Sequence, residues 1–180
     1  MSERVSIREL KEYWEYIHTL NDGDVIENYI PSERLPLWAD ICGGLNWRVY
    51  PVGGGYFSKK HHGFCGVYRV FGIAEETRAN TPAPIGRVCG EDIYGTLYIG
   101  KSGWLNERLN QFRRSLESEK THLAAVAWRN CETLKRRFPL SKLGVGLLST
   151  NVNMEAVVEF DLIRAYLNTF GDTPPLNYSF

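Results

Sequence analysis

Long apolar runs are absent from this chain of 180 residues. A membrane-spanning helix needs about 18 or more consecutive apolar residues, and no such run occurs. The first residues, Met1 to Ile7, also lack the apolar core of a signal peptide. We therefore expect a cytoplasmic protein with no membrane partner.

Cysteine is sparse and never paired in a Cys-x-x-Cys motif. The four cysteines, Cys42, Cys65, Cys89 and Cys131, lie far apart in the chain. Zinc knuckles need closely spaced ligands, so the spacing argues against a zinc site of this kind. We expect reduced, structural thiols, because free cysteine behaves mainly as a small buried hydrophobe. Paired disulfides remain the alternative for an exported protein.

The formal net charge of the chain is zero, but its charged residues are unevenly distributed. Residues 101–137 hold nine Lys/Arg and four Asp/Glu, whereas residues 1–58 hold five Lys/Arg and nine Asp/Glu. A basic segment is typical of phosphate binding and also of a solvated helix face, and charge alone leaves both open. Arg113 and Arg129 in this segment are candidate nucleic-acid contacts. Lys59 and Lys60 form either a basic lip beside such a site or an ordinary polar loop.

The N-terminal third shows no catalytic pattern. Apolar residues recur at helical spacing over residues 3–20 and stop at Asn21-Asp22-Gly23, which predicts an amphipathic helix. Glycine, proline and aromatic residues are frequent from there to residue 55. We expect loops, a short helix near residues 35–41 and a strand at 47–52. Residues 1–60 are therefore predicted to form a helical and loop-rich N-terminal appendage.

Two strand-like segments follow, and each carries a tyrosine. Residues 64–73 and 96–99 are rich in β-branched and aromatic residues around Tyr68 and Tyr98. The link at residues 74–95 is far longer than a tight hairpin needs, so we expect an insertion there that acts as a flap. Its Arg78 and Arg87 are candidates for contact with a phosphate backbone.

The remaining segments complete a predicted α+β domain over residues 61–180. Helices are predicted at residues 104–118, 121–137 and 153–170, with a third buried strand at 142–148. The order is strand, strand, helix, helix, strand, helix. This order predicts a small, mainly antiparallel three-stranded sheet flanked by helices.

These motifs together resemble the GIY-YIG nuclease superfamily. Gly66-Val67-Tyr68 resembles its first signature and Tyr98-Ile99-Gly100 its second, and both are followed by Arg108 at the expected offset. A glutamate on the final helix and a late asparagine complete the pattern over residues 63–180. The resemblance implies an α+β fold, DNA as partner, and Mg²⁺- or Mn²⁺-dependent hydrolysis of phosphodiester bonds.

The resemblance also implies roles for charged residues. Glu159 matches the metal ligand, and Glu155, one helical turn earlier, is its competitor. Mg²⁺ is commonly held by one carboxylate and several waters. Arg108 matches the residue that grips a non-bridging phosphate oxygen, for which the planar guanidinium suits better than an ammonium group. Lys101 would place a positive charge beside the tyrosines.

Tyr68 and Tyr98 are the candidates for positioning or deprotonating the attacking water. The sequence alone does not decide which phenol is reactive. We favour Tyr68, with Tyr98 as its partner. His122 matches a histidine that contacts phosphate or water in relatives. Phe112 departs from the pattern, because relatives often carry a second histidine there. Asn177 is expected either to fasten the C-terminal segment or to be an ordinary turn residue.

The leading function is therefore a metal-dependent DNA endonuclease, in restriction, defence, repair or a mobile element. The absence of a visible zinc finger or helix-turn-helix argues against a homing enzyme with a separate DNA-binding tail. The alternatives are a nucleic-acid-binding module without catalysis and a non-specific nuclease or toxin. A monomer and a homodimer both remain open.

Overall fold

The computed structural model describes residues 3–21, 23–54, 64–75 and 81–177. Lys59, Lys60, Arg78 and the predicted boundary near residue 60 lie outside these ranges. The helices are α1 (Ile7–Thr19), α2 (Trp38–Gly44), α3 (Leu105–Glu117), α4 (Leu123–Asn130), α5 (Glu132–Arg137) and α6 (Glu155–Phe170). The strands are β1 (Arg48–Pro51), β2 (Gly66–Gly72), β3 (Ile85–Arg87), β4 (Gly90–Asp92), β5 (Thr96–Ser102) and β6 (Leu143–Ser149).

The fold is α+β, with one four-stranded antiparallel sheet in the order β1-β6-β2-β5 and a separate two-stranded sheet of β3 and β4. The prediction of a three-stranded sheet was therefore wrong. The fourth strand comes from the N-terminal segment, where Arg48 pairs with Leu147 and Pro51 with Gly144. This pairing covers backbone groups of β6 that would otherwise form an open sheet edge.

Strand β2 lies at the centre of the molecule, and all seven of its residues are buried. Because side chains alternate along a strand, it contributes to a core on each face of the sheet. Val67 belongs to a cluster with α1, α2 and α6. Tyr68 and Val70 belong to a second cluster with α3 and α4. The sheet is therefore the middle layer between two layers of helices.

The N-terminal helices pack on α6 through polar anchors inside an apolar cluster. Trp14 donates its indole N–H to Asp161 at 2.9 Å, and Asp161 also accepts a hydrogen bond from Arg164 at 2.9 Å. Trp38 donates to the Thr96 hydroxyl at the start of β5 at 3.0 Å. Residues 3–54 thus share a core with α6 and fix its position against the sheet.

The described part of the long link is tied to the end of α6. Arg87 forms an ion pair with Asp172 at 2.6 Å, and the Cys89 amide donates to the Phe170 carbonyl at 2.9 Å. In this structure the Arg87 guanidinium has a carboxylate partner, and its contact with a phosphate backbone stays a prediction. The hairpin of β3 and β4 thus forms a clasp on the end of α6.

The predicted single helix over residues 121–137 is in fact two helices. Cys131 separates α4 from α5 with an extended backbone, φ −97° and ψ 98°. Trp128 at the end of α4 donates its indole N–H to the Phe138 carbonyl at 3.1 Å. The break lets the chain fold back so that Trp128 and Phe138 enter the same cluster. Helix α6 ends as predicted, at Gly171 with φ 75°.

Among the described residues, no helix has both the length and the apolar character that crossing a membrane requires.

Asp161→Ala tests the anchor on α6. Removing the carboxylate leaves the buried Arg164 without its charge partner, and we expect the free energy of unfolding to fall by about 3 kcal/mol or more. Glu12→Ala is the matched control, because its ion pair with Arg8 lies on the surface of α1. Urea denaturation should show almost no change for that variant. Equal losses in both variants would contradict the anchoring role of Asp161.

Candidate active site

The pairing of β2 with β5 brings the two signature tyrosines together. Tyr68 pairs with Gly100, and Tyr98 pairs with Val70. Tyr68 and Tyr98 are therefore diagonal neighbours on the face that packs against α3 and α4. Their ring centroids are 5.8 Å apart, with the planes inclined by 52°.

The signature glycines make room for this arrangement. A Cβ atom at Gly100 would lie 2.8 Å from the Tyr98 hydroxyl oxygen and would collide with the ring. At Gly66 a Cβ atom would collide with the backbone carbonyl of Leu148 on the neighbouring strand. The two glycines therefore have a steric role, which is to let a ring and a strand approach closely.

His122 lies behind the tyrosines. Its ring is fully buried, its Nε2 atom is hydrogen-bonded to the Tyr68 hydroxyl at 2.6 Å, and Phe112 packs edge-on against it at 4.9 Å. Burial, aided by the positive charge of Arg108, lowers the pKa of His122 to about 3, so the ring is neutral. The ring contacts Tyr68 and Phe112 and does not line the cavity at the outer edge of β5, and its contact with phosphate or water stays a prediction. Phe112 supports that ring from α3.

Arg108 lies close to both phenols. It lies in the first turns of α3, directly after β5. Burial raises the pKa of Tyr68 and of Tyr98, and the positive charge of Arg108 acts in the opposite direction with a smaller effect. A hydrogen bond to the Gln111 side-chain oxygen, at 3.3 Å, restrains the guanidinium from the same helix.

A cavity of about 490 Å³ opens at the outer edge of β5. Its polar lining combines five of the residues singled out in the sequence: Tyr98, Lys101, Arg108, Glu159 and Asn177. Tyr68 is fully buried beneath Tyr98 and does not line the cavity. The geometry therefore favours Tyr98, rather than Tyr68, as the phenol that meets a ligand. Burial raises the pKa of both phenols.

Glu159 projects from α6 into this cavity. Its carboxylate lies 4.0 Å from Lys101 Nζ. Partial burial raises the pKa of Glu159, while the charges of Lys101 and Arg108 act in the opposite direction. Glu155, the competitor one turn earlier, does not line the cavity. Glu159 is therefore the better placed of the two carboxylates.

The donor set fits a water-rich magnesium site better than a protein cage. Among the described residues, no group of three or more His, Cys, Asp or Glu side chains could surround a metal ion. Mg²⁺ usually keeps several waters and takes one or two carboxylates together with substrate phosphates. A single half-buried carboxylate that faces an open cavity meets that requirement.

Asn177 fastens the C-terminal segment to β5, which is one of the two roles expected for it. Its amide group donates to the Ile99 carbonyl at 2.8 Å, and its side-chain oxygen accepts from the Ile99 amide at 2.9 Å. The Leu176 amide donates to the Leu97 carbonyl at 2.9 Å. The segment thus replaces a further strand at the outer edge of the sheet and forms one wall of the cavity.

The remaining basic candidates lie outside the cavity. Arg129 donates to the carbonyls of Ser115 and Glu119 at 2.9 and 3.0 Å, so its guanidinium caps the end of α3. Arg113 follows Arg108 by five residues, which places it about 140° around the helix. Arg113 therefore lies on a different face of α3 from Arg108, and Arg129 lies on α4.

Sequence reasoning missed the apolar part of the lining. Leu123, Phe160, Ile163 and Leu176 contribute to the cavity beside the charged residues. The only local signal was Phe160, an apolar residue directly after a candidate metal ligand on an amphipathic helix. Comparison of the chain with protein-family models, curated proteins and solved structures gives no match.

The buried His122 predicts a dependence of stability on pH. Its folded pKa of about 3 lies below the ordinary value of 6.5, so the unfolded chain binds the extra proton between these values. The free energy of unfolding should therefore fall with decreasing pH, by up to about 1.4 kcal/mol per unit from this group. Denaturation curves of His122→Gln should show a flatter slope in that window. An unchanged slope, or an NMR titration of His122 near pH 6, would refute the assignment.

Proposed function

We propose that this protein is a metal-dependent endonuclease that hydrolyses phosphodiester bonds in DNA, of the GIY-YIG type. The observation that carries the proposal is the convergence of Tyr98, Lys101, Arg108 and Glu159 on one cavity. These residues come from β5, α3 and α6. Two cations can bind the phosphate, a carboxylate can hold a metal ion and a phenol can position the water, which together suit phosphodiester hydrolysis. The resemblance to the GIY-YIG superfamily implies roles for the same four residues.

The two cations provide the binding of substrate. Arg108 lies in the lining of the cavity and is restrained by its hydrogen bond to Gln111, so it presents a positioned donor to a non-bridging phosphate oxygen. Lys101 adds a second positive charge, 4.0 Å from the Glu159 carboxylate. A phosphate that enters the cavity therefore exchanges hydrogen bonds with bulk water for contacts with the cationic groups of Arg108 and Lys101.

Glu159 would hold the Mg²⁺ or Mn²⁺ ion, together with water and a phosphate oxygen. When bound, the metal neutralises charge on the phosphate and on the leaving 3′ oxygen. Lys101 and Arg108 help to keep Glu159 ionised against the effect of its burial.

Tyr98 positions the attacking water in this proposal. Burial raises the pKa of Tyr98, so the phenol keeps its proton at neutral pH and is a poor base. Its hydroxyl can still orient a water by hydrogen bonding, and Arg108 lines the same cavity beside it. Tyr68 and His122 form the buried support on which Tyr98 and Arg108 rest.

A binding module without catalysis is the rival function. Glu159 argues against it, because a carboxylate in a phosphate site repels the ligand unless a metal ion lies between them. A non-specific nuclease or toxin would use the same site. Discrete fragments of a plasmid would indicate restriction, whereas a smear would indicate non-specific cleavage.

Glu159→Gln should abolish cleavage, because it removes the metal ligand at constant volume. Arg108→Lys should lower kcat by about 100-fold or more, because the ammonium group lacks the planar fork. The matched control is Glu155→Gln on the same helix, which should retain most of the activity. The assay incubates plasmid, single-stranded DNA and RNA with Mg²⁺ or Mn²⁺, with and without EDTA.

Cleavage that persists in EDTA or in Glu159→Gln would exclude this mechanism. If neither metal supports cleavage of any of the three substrates, the proposed enzymatic activity is refuted. Circular dichroism of each variant separates lost chemistry from lost folding.

The two tyrosines should differ in their effect on rate. Tyr98→Phe should lower kcat by about 100-fold with little loss of stability, because its hydroxyl meets the water. Tyr68→Phe should cost more stability than Tyr98→Phe, since it leaves the buried His122 ring without its hydrogen-bond partner. Single-turnover cleavage and thermal unfolding measure the two effects. A larger loss of rate in Tyr68→Phe than in Tyr98→Phe would indicate that Tyr68 is the reactive phenol.

A further inference from the structure

The cavity has an apolar side that phosphate binding does not use. Phe160 directly follows Glu159 on α6, lines the cavity, and is 50% exposed. Leu123, at the start of α4, lines the same cavity and is 78% exposed. Two exposed apolar side chains from different helices therefore lie beside Lys101 and Arg108. A ligand that suits this cavity combines negative charge with an apolar surface.

The ring of Phe160 packs against a buried arginine. The guanidinium carbon of Arg164 lies over the ring at 5.2 Å from its centroid. Arg164 is itself buried and fixed by hydrogen bonds to Asp161 at 2.9 Å and to the Ile30 carbonyl at 3.0 Å. A cation–π contact of this kind orients the ring before any ligand arrives. Little conformational entropy is then lost when a flat group stacks on it.

We propose that Phe160 stacks on an unpaired nucleobase adjacent to the phosphate held by Arg108, so that the site selects single-stranded or locally opened DNA. This inference rests on the proposed function. Proteins hold unpaired strands by combining cationic groups for the backbone with rings on which bases stack. In an intact duplex the faces of the bases are covered by their neighbours and cannot reach Phe160. The cavity of about 490 Å³ is large enough for a nucleotide-sized ligand.

Tyr29 provides a matched control for Phe160. Its ring is 51% exposed and also lies over Arg164, at 4.8 Å. It lines a different cavity, between α1 and residues 27–30. Tyr29→Ala therefore removes an equally exposed ring from the same guanidinium without changing the proposed site.

The experiment measures binding with Ca²⁺ in place of Mg²⁺ or Mn²⁺, so that a divalent ion lies between Glu159 and the phosphate, and gel electrophoresis checks that the strands stay intact. The probes are a fluorescein-labelled thymidine 12-mer, an abasic sugar-phosphate 12-mer and a 12-base-pair duplex. The wild-type protein should bind the thymidine strand about 10-fold or more tightly than the other two. Phe160→Ala and Phe160→Leu should lose this preference, and Tyr29→Ala should keep it. Arg108→Ala should weaken the binding of the thymidine strand and of the abasic strand by similar factors.

Equal binding of the thymidine and abasic strands by the wild-type protein would overturn the proposal, as would a preference that survives in both Phe160 variants. Failure to bind any of the three probes would overturn it as well. A preference that depends on Phe160 without metal-dependent cleavage would support the stacking role and refute the nuclease. If Phe160→Ala instead alters only the elution volume in gel filtration, the ring belongs to an interface between copies of this chain.

Discussion

The antiparallel register between β2 and β5 is the constraint on which the rest of the site depends. It sets Tyr68 opposite Gly100 and so places the ring of Tyr98 diagonally beside it. The same strand pair directs the chain into α3, whose first turns place Arg108 with Tyr98 in the lining of the cavity. A shift of one residue would turn one tyrosine to the opposite face of the sheet. The close approach at Gly66 and Gly100 leaves little freedom for such a shift.

Burial then divides the polar groups into two layers. The deeper layer contains Tyr68 and a neutral His122, joined by a short hydrogen bond and enclosed by apolar side chains. The upper layer contains Tyr98, Arg108 and Glu159, which face the cavity. A buried polar network of this kind makes orientation rigid where its hydrogen bonds are formed. Tyr68 and His122 therefore support the groups that would meet a phosphate, although the sequence predicts a catalytic role for Tyr68 itself.

Helix α6 links the stability of the fold to the composition of the site. One side is held by the buried contacts of Asp161 with Trp14 and Arg164, while Glu159 and Phe160 reach the cavity. Segments distant in sequence thus fix a carboxylate and a ring at the edge of β5. The described part of the long link serves the same helix, because Arg87 is paired beyond its end. Trp14 in the N-terminal segment and Arg87 in the long link therefore support the site through their contacts with α6 and the residues just beyond it.

The sequence by itself determined the features that depend on local pattern. These are the two tyrosine strands, the helix after them with Arg108, and the final helix with Glu159, since periodicity and short motifs encode them. Only the tertiary structure decided which partner each group meets. The strand pairing of Arg48–Pro51, the burial of His122 and the use of Arg87 as a clasp all rest on contacts between distant segments. Local pattern cannot show such contacts, because they arise from how the layers of the fold close on one another.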